Sequence, residues 1–404
     1  MRVRVHDSIR TIRADAWNAL TGTQIPFLRH EYFAALEASG SLASDSGWTA
    51  CYLTVEDPAG ELSGAVPLFE KSDSRGEFIF DWAWAAAMQR AGRSYYPKLV
   101  AAIPFTPVPG RRCLFSPHAE PGTAAVLIEA ARKLAGERSC SSLHWLFVTE
   151  PELNLIENSG CVVRTGCDFV WRNPGVADFE AWLDTLTSRS RKKIRRERRR
   201  VHDAGIACVW RDGQELGREE LDVIYQLYSV TYYTHGMLPY LRSSFFAELA
   251  TRLPHALKLC FAYRDGDILA CAVFLQDGTT LYGRYWGASE WINSLHFELC
   301  YYQGIAHALK HGLQYFHPGV QGEHKLLRGF EPTLHYSAHW LRDPELGRAV
   351  AGFLDRERDQ VENYIAEAET FLPYRRDPGQ DRRHRKPDPR GAVAPDASST
   401  WRKP

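Results

Sequence analysis

The chain has no excess of charge of either sign, no cysteine pair at metal or redox spacing, and no long hydrophobic run. Its 49 Lys and Arg balance 49 Asp and Glu over 404 residues. That argues against a globally basic nucleic-acid binder and leaves only a local patch open. The nine cysteines (Cys51, Cys113, Cys140, Cys161, Cys167, Cys208, Cys260, Cys271 and Cys300) are odd in number and scattered, several within apolar runs such as Leu259-Cys260-Phe261. They read as buried, reduced thiols and not as a zinc site. No segment reaches the roughly 20 apolar residues of a membrane span. Met1-Arg-Val-Arg-Val-His-Asp7 has no apolar stretch of the kind a signal peptide carries. The expectation is a cytoplasmic protein, for which peripheral contact with an anionic membrane stays open.

What is present is ordinary for a globular protein: 45% hydrophobic and 24% charged residues. The length exceeds one hydrophobic core, so two domains and a tail are expected. Helices and strands alternate. Thr49 to Val55 and Leu62 to Phe69 read as a hairpin around a Glu-Asp-Pro-Ala-Gly turn. Helices are expected at Glu31 to Ser39 and Gly122 to Ala135, and strands at Val108 to Phe115, Ser142 to Val148 and Cys161 to Trp171. The second half repeats the order. Leu257 to Tyr263 and Ile268 to Gln276 form a hairpin with Asp265-Gly266 at the bend, followed by a strand at Leu281 to Trp286, a helix from about Ser294 to Lys310 and a short strand at Leu313 to Phe316. The echo is topological, with no residue-level repeat. It predicts an α/β protein of two domains with one architecture, 1–170 and 171–372. Residues 373–404, rich in Pro, Arg and Asp, read as a disordered tail.

Two segments concentrate chemistry. Arg189 to Arg200 (RSRKKIRRERRR) carries nine basic residues in twelve. Like charges at i,i+4 repel, and an anionic partner is the simplest compensation, with Arg191, Lys192, Arg195 and Arg196 as its candidate ligands. The plain alternative is a solvated helix face. The second segment is Gln321-Gly-Glu323-His324-Lys325 with Arg328, just after a short strand. Glu323 or His324 suits a general base, and Lys325 or Arg328 suits a phosphate or a developing oxyanion; a turn with exposed charges is the plain alternative. Tyr282, Arg284 and Trp286 alternate on the preceding strand and are expected to share one face. An Arg between aromatics needs an anionic partner when buried. On the following helix, Leu295, Leu299, Tyr302, Ala306 and Leu309 give the expected core stripe, with His296 and Glu298 pointing elsewhere. His307 and His311 lack the glutamate of a zinc motif, because residue 308 is Ala, and read as exposed; His335 and His339 read as structural. No metal site is expected.

LHFELCYYQGI (295–305) and GVQGEHKLLRGFEPTLHYSAHW (319–340) resemble the signature of a bacterial family of predicted N-acyltransferases, often called peptidoglycan biosynthesis or recognition proteins. PFLRH (26–30) and YLRSSFF (240–246) fit as well, so the resemblance spans residues 15–372. That family is similar to the Fem-type aminoacyltransferases, which have two GNAT-like domains in tandem, and Ser188 to Gly205 looks like their basic helix. The resemblance implies two tandem GNAT-like domains and transfer of an acyl or aminoacyl group to an amine acceptor, with acyl-coenzyme A or aminoacyl-tRNA as co-substrate and no permanently bound cofactor. The chain departs from the GNAT pattern at the pyrophosphate loop, since Gly287-Ala-Ser-Glu-Trp-Ile-Asn-Ser294 does not match it. The alternative is a non-catalytic binder of RNA or of a phosphorylated glycan precursor.

Overall fold

The computed structural model describes residues 1–320 and 322–375. Most of the expected tail, from residue 376 on, lies outside the described residues. Its first three residues belong to the fold. Thr187 N–H donates to the Pro373 carbonyl at 2.7 Å, Arg375 N–H to the Thr185 carbonyl at 2.9 Å, and the Tyr374 hydroxyl to the Gly329 carbonyl at 2.6 Å.

Among the described residues, eleven strands make one continuous sheet that crosses both halves, and four make a smaller sheet. The first hairpin supplies both. Tyr52–Glu56 and Leu62–Val66 pair in the small sheet, while Trp48–Ala50 and Leu68–Lys71 pair in the large one. The switch falls at Pro67, which has no N–H for a ladder; its carbonyl instead accepts from Ala102 N–H at 3.1 Å. The second hairpin bends as its sequence demands, with Asp265 at φ 55° and Gly266 at φ 96°.

The expected repeat of strand order is present in the fold. In the first half, Lys98–Ala101 and Ser142–Val148 run parallel (Leu99 opposite Leu143), with the helix Thr123–Glu137 in the connection. In the second, Thr280–Ala288 and Tyr315–His317 run parallel (Thr280 opposite Tyr315), connected through the helical segment 295–310. The last strand of each half is exchanged. Val162–Arg172 pairs with Tyr315–His317 of the second half, and Glu331–Leu341 pairs with Ser142–Val148 of the first. The two lie antiparallel at the centre, from Glu331 opposite Val170 to His339 opposite Val162. Neither half closes its sheet alone. One core, joining Phe33, Tyr52 and Phe69 to Leu227, Phe245 and Phe261, is likewise built from both.

Three expectations change. Val108 to Phe115 yields only the two-residue strand Leu114–Phe115. The helix Pro344–Thr370 has no counterpart among the expected elements. Its buried residues Val350, Leu354, Val361 and Ala368 recur only at intervals of four and seven in a polar sequence. It starts on Asp343, whose carboxylate accepts from Glu345 N–H at 2.9 Å, with proline in the first turn. The helix after Ser294 contains a π turn, Glu298–Tyr302. This shifts the core stripe beyond it from Ala306 to Ile305 and Ala308. It also buries His307, which bonds Gln276 Oε1 at 2.7 Å and stacks on Trp210. All nine cysteines are unpaired, and six of them are buried. No described helix is long and apolar enough to cross a membrane.

The loop between Lys71 and Trp82 is held by a fully buried ammonium. Lys98 Nζ donates to Ser74 Oγ and Glu77 Oε2, both at 2.8 Å, and to Asp81. Replacing Lys98 by Met leaves two buried carboxylates without their cation, so a loss of about 3–5 kcal/mol is expected in denaturant unfolding. A change below about 1 kcal/mol contradicts this account of the loop.

Candidate functional site

The parallel strands of the second half stay paired only through Tyr282 and His317, then part. Glycines stand at the fork. A Cβ on Gly283 would meet Pro318 at 3.3 Å, and Gly319, at φ 93°, faces the Gly283 carbonyl. On the other edge the ladder is irregular: Phe274 pairs with Gly283 and Val273 with Tyr285, so Arg284 is an extra, bulged residue. The bulge overturns the expected alternation. Tyr282 and Tyr285 face the core shared by the two halves, whereas Trp286 faces the core of the second half. Tyr282 is buried, stacks on His317 and donates to Asp277 Oδ2 at 2.9 Å. Trp286 lies edge-on to His296, centroids 5.1 Å apart.

Behind the fork comes the loop singled out by sequence, here a 3-10 helix Glu323–Arg328. Lys325 is buried and donates to the Gly319 carbonyl at 2.5 Å. Burial pulls its ammonium down to about 8, against the opposing pull of Asp168 and Cys300. Asp168, on the exchanged strand Val162–Arg172, is in turn pushed above the usual carboxylate range by burial, opposed by His335 and Lys325. His324 is exposed, 2.8 Å from the Tyr301 hydroxyl. Desolvation of the covered part of its ring, and then the charges of Arg328, Lys325 and Lys193, pull it down to about 4, so it is neutral at pH 7. His296 is pulled to about 3, by burial first. Glu323 is exposed and accepts from the Tyr364 hydroxyl at 3.3 Å.

Arg328 is not placed to receive a phosphate. Its Nη2 donates to both Glu197 oxygens (2.8 and 3.0 Å), its Nε to the Tyr302 hydroxyl (2.9 Å) and its Nη1 to the His324 carbonyl (2.8 Å). Its guanidinium covers the Phe297 ring at 3.5 Å. Glu197 comes from the basic helix Ser188–Asp203, so this buried pair fastens that helix to the loop.

The helix buries Ile194, Glu197 and Val201 and turns its other side outward. The four expected anion ligands divide. Arg191 donates to the Leu186 carbonyl at 2.9 Å and Arg195 to Glu180 at 2.7 Å, while Lys192 and Arg196 are exposed without an acidic partner. Arg198 reaches both oxygens of buried Glu298 at 3.2 Å, so Glu298 is a structural ligand of this helix rather than a free carboxylate. Among the described residues, Arg189, Lys192, Lys193, Arg196, Arg199 and Arg200 have no carboxylate within salt-bridge distance. They recur at helical spacing along one stripe. Lys193 stands where the stripe meets His324.

Sequence reasoning missed the surroundings of Arg284. Arg284 Nη2 donates to the Phe105 carbonyl at 2.7 Å, while its Nε is buried without a partner, as is the hydroxyl of neighbouring Tyr285. Phe105 sits at φ 57°, a rare backbone for a bulky residue. Its ring stacks on Tyr240, centroids 5.3 Å apart. Tyr32 and Phe27 come from the first half, Tyr228 and Tyr232 from the second. The signal was present: Phe27 and Tyr240 lie in PFLRH and YLRSSFF, two motifs far apart in sequence that meet here. Among the described residues, no three His, Cys, Asp or Glu side chains come together as a metal site needs.

The family model for FemAB-like proteins, described as peptidoglycan biosynthesis/recognition, matches residues 8–376. The chain belongs to the FemAB-like family. Among solved structures, this FemAB-like chain is similar to FemX, at 12% identity and TM-score 0.52 over 87% of this chain and 100% of that one. It is also similar to the C-terminal domain of a putative lysylphosphatidylglycerol synthetase from Agrobacterium fabrum (10% identity, TM-score 0.49, 78% and 90% covered). A third is a tandem GNAT protein from the clavulanic acid biosynthesis pathway (13%, 0.41, 74% and 84%). Comparison with curated proteins gives no match. The fold is that of FemX, and in this chain each half carries a crossover between parallel strands.

Proposed function

We propose that this FemAB-like protein transfers an acyl or aminoacyl group from an activated, polyanionic donor to an amine acceptor at the fork between Gly283 and Gly319. The observation that carries the reading is the arrangement of Lys325, His324 and the cationic stripe around one opening in the sheet, fastened by the Glu197–Arg328 pair. The acceptor nitrogen attacks the acyl carbonyl carbon. The new C–N bond forms, the bond to the donor's oxygen or sulfur breaks, and the amine proton passes through a base to the leaving group. His324, neutral at pH 7 and open to solvent on one side, takes that proton; the Glu323 carboxylate is the other candidate on the same turn. Lys325, mostly ammonium at pH 7, donates to the developing oxyanion. Trp286 and His296 pack edge-on to each other beside the core of the second half.

The stripe favours aminoacyl-tRNA over acyl-coenzyme A, because six unpaired cations along a helix match a repeating phosphate backbone better than one pyrophosphate. A cell-wall precursor is the acceptor that family membership favours. Changing Lys192, Arg196 and Arg199 together to Ala is expected to weaken tRNA binding and to flatten its log K against log salt slope by about 2, while Arg195→Ala, already paired with Glu180, changes little. An unchanged slope in the triple variant contradicts the tRNA reading, and tight salt-resistant binding of acetyl-coenzyme A replaces it with the coenzyme one.

A further inference from the structure

We infer that Arg284 and Tyr285 form a carboxylate-binding subsite, so that the amine acceptor carries its own carboxylate, as an amino acid or peptide does. The inference rests on the transfer reading for its purpose, though not for its geometry. Arg284 is the bulged residue at the fork, directly after Gly283. Among the described residues no carboxylate pairs with it. Its Nη2 is held by the carbonyl of Phe105, a residue that itself adopts a left-handed backbone. Strain of this kind persists only where the surroundings impose it, and it recurs at ligand sites. Arg284 Nε and the Tyr285 hydroxyl remain buried without a partner. An unmatched buried guanidinium N–H and phenol are costly, and a bound anion would satisfy both.

The walls are aromatic. Arg284 lies 5.2 Å from the centre of the Tyr285 ring and 5.8 Å from that of Phe27. Its charge also acts on the Tyr32 and Tyr232 phenols, one from each half of the molecule. One cation surrounded by neutral hydroxyl donors and rings balances a single negative charge, and the planar guanidinium fork matches a planar carboxylate. Arg284 directly follows Gly283, which lies against Gly319, whose carbonyl Lys325 holds, so a carboxylate anchored on Arg284 brings an α-amine, two bonds from its carboxyl carbon, towards the fork. The core built from both halves is what brings Phe27 and Phe105 of the first to Arg284 of the second.

The test is ligand-observed NMR binding of glycine, L-alanine and L-phenylalanine to the full chain, each beside its primary amide, with dimethyl phosphate as a competing monoanion. The expected result is that the acids bind at least tenfold more tightly than the amides. Arg284→Gln and Arg284→Lys should each abolish that preference. Tyr285→Phe should weaken it several-fold, and it serves as the second variant if removing the guanidinium unfolds the protein. Equal binding of acid and amide, no binding of any acid, an unchanged preference in Tyr285→Phe, or stronger binding of dimethyl phosphate than of the acids overturns the inference. Acid binding without any transfer activity overturns the transfer reading and leaves the subsite standing.

Discussion

Replacing Arg328 by Met is expected to cost about 3–5 kcal/mol of stability, because it strands the Glu197 carboxylate in the interior. Arg328 and Glu197 are both nearly inaccessible, and the Tyr302 hydroxyl, which donates to Glu197 and accepts from Arg328, completes a closed set of hydrogen bonds. The double variant Glu197→Leu/Arg328→Met removes both charges together and is expected to recover most of the loss, since a buried pair as a whole contributes far less than either partner's removal costs. Unfolding midpoints in guanidinium chloride read both effects. A contact with substrate phosphate would behave otherwise: the single variant would lose activity at unchanged stability, and the double variant would recover nothing.

Lys325→Met is expected to lower the rate of transfer about 10²- to 10³-fold, the usual consequence of removing one donor to a developing oxyanion. Stability at pH 7 should not fall with it. Burial holds the Lys325 ammonium at about 8, below the ordinary 10.5, so folding disfavours its charged form. Lys325 therefore opposes folding at pH below about 8, and stability rises as pH climbs from about 8 towards 10.5. The variant should lose that alkaline gain. It should also lose the fall in transfer rate as the wild-type ammonium deprotonates above pH 8. His324, neutral down to about pH 4, should impose no acid limb between pH 8 and 5. A variant that transfers at the wild-type rate rules Lys325 out of the chemistry.

Local patterns foretold the elements well. The Asp265-Gly266 bend, the strand Ser142–Val148 and the basic helix all carry their own signals in adjacent residues. The repeat of hairpin, strand, helix and strand was legible for the same reason. What adjacent residues do not encode is the exchange of Val162–Arg172 and Glu331–Leu341, because a strand's partner is chosen by the whole sheet. The site divided along the same line. The density of titratable groups at 323–325 pointed to the fork. The bulge at Arg284, which turns Tyr282 and Trp286 to opposite faces, depends on the opposing strand. Which cations of the basic helix stay unpaired depends on Glu180, Asp184 and Glu298, all of which lie on other elements. Glu298, at the start of the π turn, is buried where it meets Arg198.

The central claim is tested most directly by following a radiolabelled group. Purified protein would be incubated with labelled aminoacyl-tRNA, or separately with labelled acetyl-coenzyme A, and a mixture of amino acids, peptides and peptidoglycan precursors. The products would then be assayed for label that resists mild base, which cleaves esters and thioesters but not amides. The account predicts base-stable label from the aminoacyl-tRNA with wild-type protein and almost none with Lys325→Met. No base-stable label from either donor, or equal label with both proteins, would contradict it.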